Sequence, residues 1–299
     1  MEGSRPFDAE LDFDHPRRNR PADPPPLRPP RRDRGRRPRR DRSETLARIA
    51  WAIPWIAIVG GELFAVAMIG FACVGINEFF RMVRDARPFA VVAFAAAAAL
   101  VAAAFYGSQF QMVIALLASV AVLFGAAVLR PDREGITVSI ALTVFGIVWI
   151  GLPFAHAVLL RELPEHGAAL LVDVLVATFV ADTAAYAGGR LFGRHRLAPA
   201  LSPNKTLEGL AFGFVGGTLG FWFAGLYQNW LPGIDALVMG MCIAALAPVG
   251  DLFESMIKRD LRIKDSGTIF GPHGGLLDRL DAVLFTIVAG YYLAVAFLY

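Results

Sequence analysis

Five side chains near the end of the chain have the types and spacing of a site that holds a metal ion against phosphate. Asp251, Ser255 and Lys258 fall at i, i+4 and i+7, one face of a helix. Asp278 and Asp281, at i and i+3, share a second face. Two oxygen-bearing faces that meet offer hard ligands. Mg2+ takes one or two protein carboxylates and fills its octahedron with water and substrate phosphate. Between the two faces lie Lys258, Arg259, Lys264 and the turn Gly271-Pro272-His273-Gly274-Gly275. Basic side chains and glycine amides are what a di- or triphosphate requires. The plainer reading makes Glu254 and Lys258 an i,i+4 pair and the basic run a topology signal. The aspartates argue against it, because ionised carboxylates at the edge of an apolar span are costly unless paired or metal-bound.

A second polar group lies upstream. Asp182, Tyr186 and Gly189 share a helical face, with Asp182 inside an apolar run. Arg190 and Lys205 follow as phosphate ligands or as plain charges. Tyr186 reads as a site residue or an interfacial aromatic, and Asp182 as a site residue or a helix–helix hydrogen bond. Glu78, at the end of an earlier apolar run, is a weaker candidate that could face the interior. His156 and His166 read as structural.

The elements that must position these groups are set by the solvent. The 299 residues are 56% hydrophobic and 18% charged, with a mean hydropathy of +0.52. Soluble domains run at about 45–50% apolar and about 25% charged, so the surface suits a bilayer better than water. The net charge of +3 hides an asymmetry, because arginines crowd residues 1–44 together with Pro and Asp. That tail buries too little apolar surface to order itself and is expected to be a disordered cytoplasmic segment near anionic lipid. Nucleic-acid binding is not expected, since no aromatic interleaving or known module accompanies the arginines. Two cysteines, Cys73 and Cys242, sit in apolar runs and supply neither a disulfide framework nor a zinc site.

Residues 45–299 then read as one all-α, polytopic transmembrane bundle. A span needs about 20 apolar residues. Nine candidates appear: Leu46–Val59, Glu62–Phe80, Phe89–Tyr106, Phe110–Leu129, Ile136–Leu160, Ala168–Ala187, Leu207–Trp230, Ile234–Ile257 and Leu280–Tyr299. No strand pattern here could close a barrel, so every span is expected to be a helix. With a cytoplasmic N-terminus, the connections carrying Arg81, Arg84 and Arg87, then Arg130 and Arg133, fall inside. So do the two long polar connections, about 188–206 and 258–278. The other side has only Arg161. Both polar connections, and any chemistry on them, therefore face the cytoplasm.

The stretch from Ser255 to Asp281, SMIKRDLRIKDSGTIFGPHGGLLDRLD, resembles the signature of the phosphatidate cytidylyltransferases. The stretch from Asp182 to Arg194, followed by Leu201-Ser202-Pro203-Asn204-Lys205-Thr206-Leu207-Glu208-Gly209, is similar to the same family's other block. It departs from that block at Asn204, where a second lysine is expected, and at Leu207, where a tryptophan is expected. The resemblance implies transfer of CMP from CTP to phosphatidic acid, giving CDP-diacylglycerol and pyrophosphate. It implies catalytic roles for Asp251, Ser255, Lys258, Arg259, Lys264, Asp265, His273, Asp278 and Asp281, with Asp251, Asp278 and Asp281 on the metal. It implies substrate contacts from Asp182, Tyr186, Arg190, Ser202, Lys205, Thr206, Glu208, Gly274, Gly275 and Arg279. Mg2+, with K+ as a second cation, is the expected cofactor. CTP, phosphatidic acid, membrane lipids and a second copy of the chain in a homodimer are the expected partners. The rivals are a transporter using Asp182 and Asp251 as an ion site, disfavoured because no internal repeat is evident, and a polyprenol kinase.

Overall fold

The computed structural model describes residues 60–267 and 274–299. The tail, the first expected span and His273 lie outside the described residues. The other eight expected spans each correspond to a helix: α1 (Gly61–Met82), α2 (Ala90–Tyr106), α3 (Gln109–Val128), α4 (Ile136–Arg161), α5 (Gly167–Phe192), α6 (Leu207–Gly225), α7 (Gly233–Asp260) and α8 (Leu277–Leu298). Seven are long and apolar enough to cross a membrane; α2 is the shorter exception at 17 residues. Large apolar side chains such as Phe110, Leu117 and Phe124 on α3 point outward. In water such a surface would be a liability, whereas lipid solvates it.

Packing follows from small side chains. Inside lipid no hydrophobic force draws helices together, so close backbone approach must supply dispersion contacts. Gly213 of α6 lies so near α5 that a Cβ there would sit 2.9 Å from the Ala185 methyl. Gly250 of α7 does the same against α8, where a Cβ would meet the Asp281 carbonyl oxygen at 2.4 Å. The interior polar groups are satisfied between helices, as where Thr178 Oγ1 donates to Thr286 Oγ1 at 2.8 Å. In α4 a π-helical turn at Ile147–Gly151 shifts the register and seats Trp149 against Phe79 and Phe253, at centroid distances of 5.6 and 5.5 Å.

One expectation is corrected in two respects. The connection 188–206 is not all loop: α5 continues to Phe192, because Gly188 and Gly189 serve close packing on α6 rather than ending the helix. Its remainder is no helix either. Arg196–Ala198 (β1) and Ser202–Thr206 (β2) pair antiparallel, Arg196 opposite Thr206 and Ala198 opposite Ser202. The Thr206 hydroxyl then caps α6 by accepting from Gly209 N at 3.1 Å.

The basic connections gather at one end of the bundle. Arg87 Nη1 pairs with Asp132 at 2.5 Å and Arg130 Nη1 donates to the Arg87 carbonyl at 3.0 Å, which joins the α1–α2 and α3–α4 connections. Arg259 Nε donates to the Leu201 carbonyl at 3.1 Å, which joins the end of α7 to the hairpin.

Candidate active site

Four helices and the hairpin converge at that end, α6 supplying apolar wall. α5 contributes Asp182, Tyr186 and Arg190, β2 contributes Lys205, α7 contributes Asp251, and α8 contributes Asp278, Arg279 and Asp281. All of these line one cavity of about 530 Å3. The two residue groups, opening at Asp182 and Asp251, thus meet in a single space. Pro248, inside α7, also lines it. A proline there has no N–H for the carbonyl four residues back, so the helix enters the site without one of its own bonds.

The cavity has two characters. Its polar end holds four aspartates with Arg190, Lys205 and Arg279. Its wall carries Phe179, Leu210 and Phe214, of which Phe179 on α5 and Phe214 on α6 are 44% and 38% exposed. One compartment therefore offers charge to a phosphate and hydrocarbon to a chain.

Within the polar end, Lys205 Nζ contacts Asp251 directly, and Ser255 Oγ donates to Asp251 Oδ1 at 3.5 Å. Lys258 Nζ lies between Asp278 Oδ1 at 2.7 Å and Glu254 Oε1 at 3.2 Å. Asp278 Oδ2 accepts from Ser266 N at 2.9 Å, Ser266 Oγ at 3.0 Å and Gly275 N at 2.7 Å. Asp281 Oδ1 accepts from Ala282 N at 2.7 Å. Among the described residues no three carboxylate, histidine or cysteine side chains converge at metal-ligand spacing. The donor set fits a hard cation that takes one or two carboxylates from the protein and its other oxygens from water and phosphate.

A profile of the cytidylyltransferase family matches residues 41–297. The chain belongs to that family. Relatives include the phosphatidate cytidylyltransferases of Mycobacterium bovis, 39% identical over 51% of this chain and 49% of that one, and of Bacillus subtilis, 36% identical over 50% and 56%. That of Thermotoga maritima is 34% identical over 70% of this chain and 77% of its own length. The matched stretches thus span about half the length of the first two relatives.

For this cytidylyltransferase-family chain, the remaining residues singled out from sequence fall into three places. Thr206 lines the cavity and caps α6. Arg259 faces the hairpin, Ser202 opens β2, and Glu208 braces the entry to the hairpin, with Arg194 N donating to Oε2 at 3.0 Å and His195 Nδ1 2.6 Å from Oε1. Lys264 and Asp265 are exposed on the connection after α7. Gly274, at φ +86, and Gly275 pass close beside Asp278, where a Cβ on Gly274 would lie 2.5 Å from Oδ2.

Two acidic residues do more than their local surroundings in the chain suggest. Glu254 is fully buried beside Lys258, and its spacing of i+3 from Asp251 was the available signal. Glu78 is 2% exposed, on a helix about 200 residues from its partners, and no local pattern could have linked them.

Proposed function

We propose that this chain transfers CMP from CTP to phosphatidic acid, giving CDP-diacylglycerol and pyrophosphate, at the cytoplasmic surface of the membrane. One observation carries the reading: a single cavity joins a carboxylate- and cation-lined end to a partly exposed apolar wall. A lipid phosphate needs both. Membership of the cytidylyltransferase family adds the nucleotide, and the basic connections at the same end support a cytoplasmic orientation.

The reaction follows from charge. A phosphate oxygen of phosphatidic acid attacks the α-phosphorus of CTP, and the bond from that phosphorus to the oxygen bridging to the β-phosphate breaks. Both reactants are anions, so their repulsion must be offset before they approach. Asp251 and Asp281 would hold Mg2+, which would supply positive charge to the phosphate oxygens when bound. K+ as a second cation is proposed on the family resemblance. Lys205 and Arg190 would bind triphosphate oxygens, Lys205 exchanging its contact with Asp251 for one with the nucleotide. The family resemblance also implies Asp278 at the metal. Its Oδ1 accepts from Lys258 and its Oδ2 from the Ser266 and Gly275 amides, so it would serve by fixing those groups beside the site. The attacking phosphate is already ionised near neutral pH, so no protein base is needed to remove a proton from it.

Detergent-purified protein incubated with labelled CTP, phosphatidic acid and Mg2+ tests the proposal. CDP-lipid plus pyrophosphate is the expected product. Nucleoside diphosphate with a phosphorylated lipid alcohol would make the chain a kinase, and ion movement without turnover would make it a transporter.

A further inference from the structure

Glu78 sits one turn from the end of α1, and its carboxylate is spent on two distant stretches of chain. Leu276 N donates to Oε1 at 3.0 Å and Leu277 N donates to Oε2 at 3.0 Å. Ser266 Oγ, whose proton goes to Asp278, lies 3.4 Å from Oε2. The first amides of any helix have no partner inside it, and α8 has no side-chain cap of its own at Leu276. A carboxylate is the favoured group at such an end. Here it comes from another helix.

The fit leaves no room for anything else. A Cβ on Gly275 would lie 2.5 Å from Glu78 Oε2, and one on Gly267 would lie 2.5 Å from Oε1. Ser266 and Gly275 are also the two residues that Asp278 grips from the cavity side. Two carboxylates, one toward the core and one toward the cavity, therefore hold the same two stretches together. The next residues of α8 are Asp278, Arg279 and Asp281, all of which line the cavity.

We propose that Glu78 is a positioning residue for the transfer reaction: it caps the first turn of α8 from α1 and fixes the direction in which Asp278, Arg279 and Asp281 face. The catalytic part of this inference rests on the functional reading above; the cap itself does not. Glu78 touches no substrate. It acts through the orientation of α8.

The test uses the full chain in detergent with Glu78→Gln, Glu78→Ala and, as a control at the exposed start of the same helix, Glu62→Gln. Glutamine keeps the shape but offers one acceptor oxygen, so one of the two amides faces an NH2 group. Amide hydrogen exchange at Leu276 and Leu277 should quicken at least about tenfold in Glu78→Gln while the opposite ends of the helices keep their protection. The kcat/KM for CTP should fall by about 10- to 100-fold, the scale of a small misplacement of reacting groups. Adding Ser266→Ala to Glu78→Gln should cost less than the sum of the two single effects. Glu62→Gln should match wild type. Unchanged exchange at Leu276 and Leu277 overturns the cap. A lowered melting point with unchanged kcat/KM overturns the positioning role and leaves only a structural staple. If wild type transfers no CMP, the functional reading fails, and exchange alone then decides the cap.

Discussion

Helix α5 carries an aspartate toward each end, and the two are used in opposite ways. Asp173 is 2% exposed, and Gln228 Nε2, from the α6–α7 connection, lies 3.0 and 2.8 Å from its two oxygens. Around it the chain is tied shut. His166 stacks on Trp230 at 3.9 Å, and the Tyr299 hydroxyl donates to the Pro164 carbonyl at 2.5 Å. Asp182, nine residues on and about 14 Å along the axis, opens instead into the cavity with three other aspartates. The partners there are lysine ammonium groups, Lys205 on Asp251 and Lys258 on Asp278. A neutral amide locks a carboxylate in place. A lysine can be displaced by another cation, and can then serve an incoming phosphate. Burial alone does not make an acidic residue chemical; an exchangeable partner and an open space do.

The largest effect should come from removing a carboxylate at the open end. Asp251→Ala should lower CMP transfer by about 10³-fold, comparable to losing a major electrostatic contact in other active sites. A chelator should stop the wild-type reaction and added Mg2+ restore it, read as labelled CDP-lipid. Equal losses in Asp251→Ala and Asp173→Asn would erase the distinction between the ends. Next in size, Lys205→Met should raise KM for CTP about tenfold, the scale of one charge-assisted bond. An unchanged KM would mean that Lys205 serves Asp251 alone.

At the closed end the response should be in stability. Asp173→Asn should cost about 1–2 kcal/mol, seen as a lower melting midpoint in detergent with turnover within about twofold of wild type. The smallest effect concerns Asp132, on the α3–α4 connection. The Glu134 backbone N–H and then the Arg87 guanidinium hold its carboxyl below the usual carboxylate range. A depressed folded value means that its contribution is present above the unfolded pKa of about 4 and fades as pH falls through the folded value. Asp132→Asn should therefore melt slightly below wild type at pH 7, with the gap closing below about pH 4. A gap independent of pH would assign the effect to something other than charge.

The helices were legible because lipid demands long apolar runs, and the charge of their connections gave the common end. The aspartates of α7 and α8 were legible because acidic side chains stand out against such runs. The connection 188–206 was misread where glycine has two meanings. Gly188 and Gly189 resemble a helix end but sit mid-helix for the sake of α6. The hairpin's three- and five-residue strands are too short to show an alternating pattern. Glu254 was hidden by its neighbour Lys258, which made it look like an ordinary surface pair, although it lies in the core. Glu78 depends on contacts across 198 and 199 residues, a relation that only folding creates.

Under the proposed reaction, the apolar flank of the cavity, with Phe179 and Phe214 partly exposed, has a kinetic corollary. A diacyl substrate that reaches the reacting groups sideways from the leaflet never enters the aqueous phase. Its effective abundance is then a mole fraction in the surrounding lipid or micelle rather than a bulk molarity. Diluting that surface with inert amphiphile, at a fixed total amount of both reactants, should slow turnover in proportion.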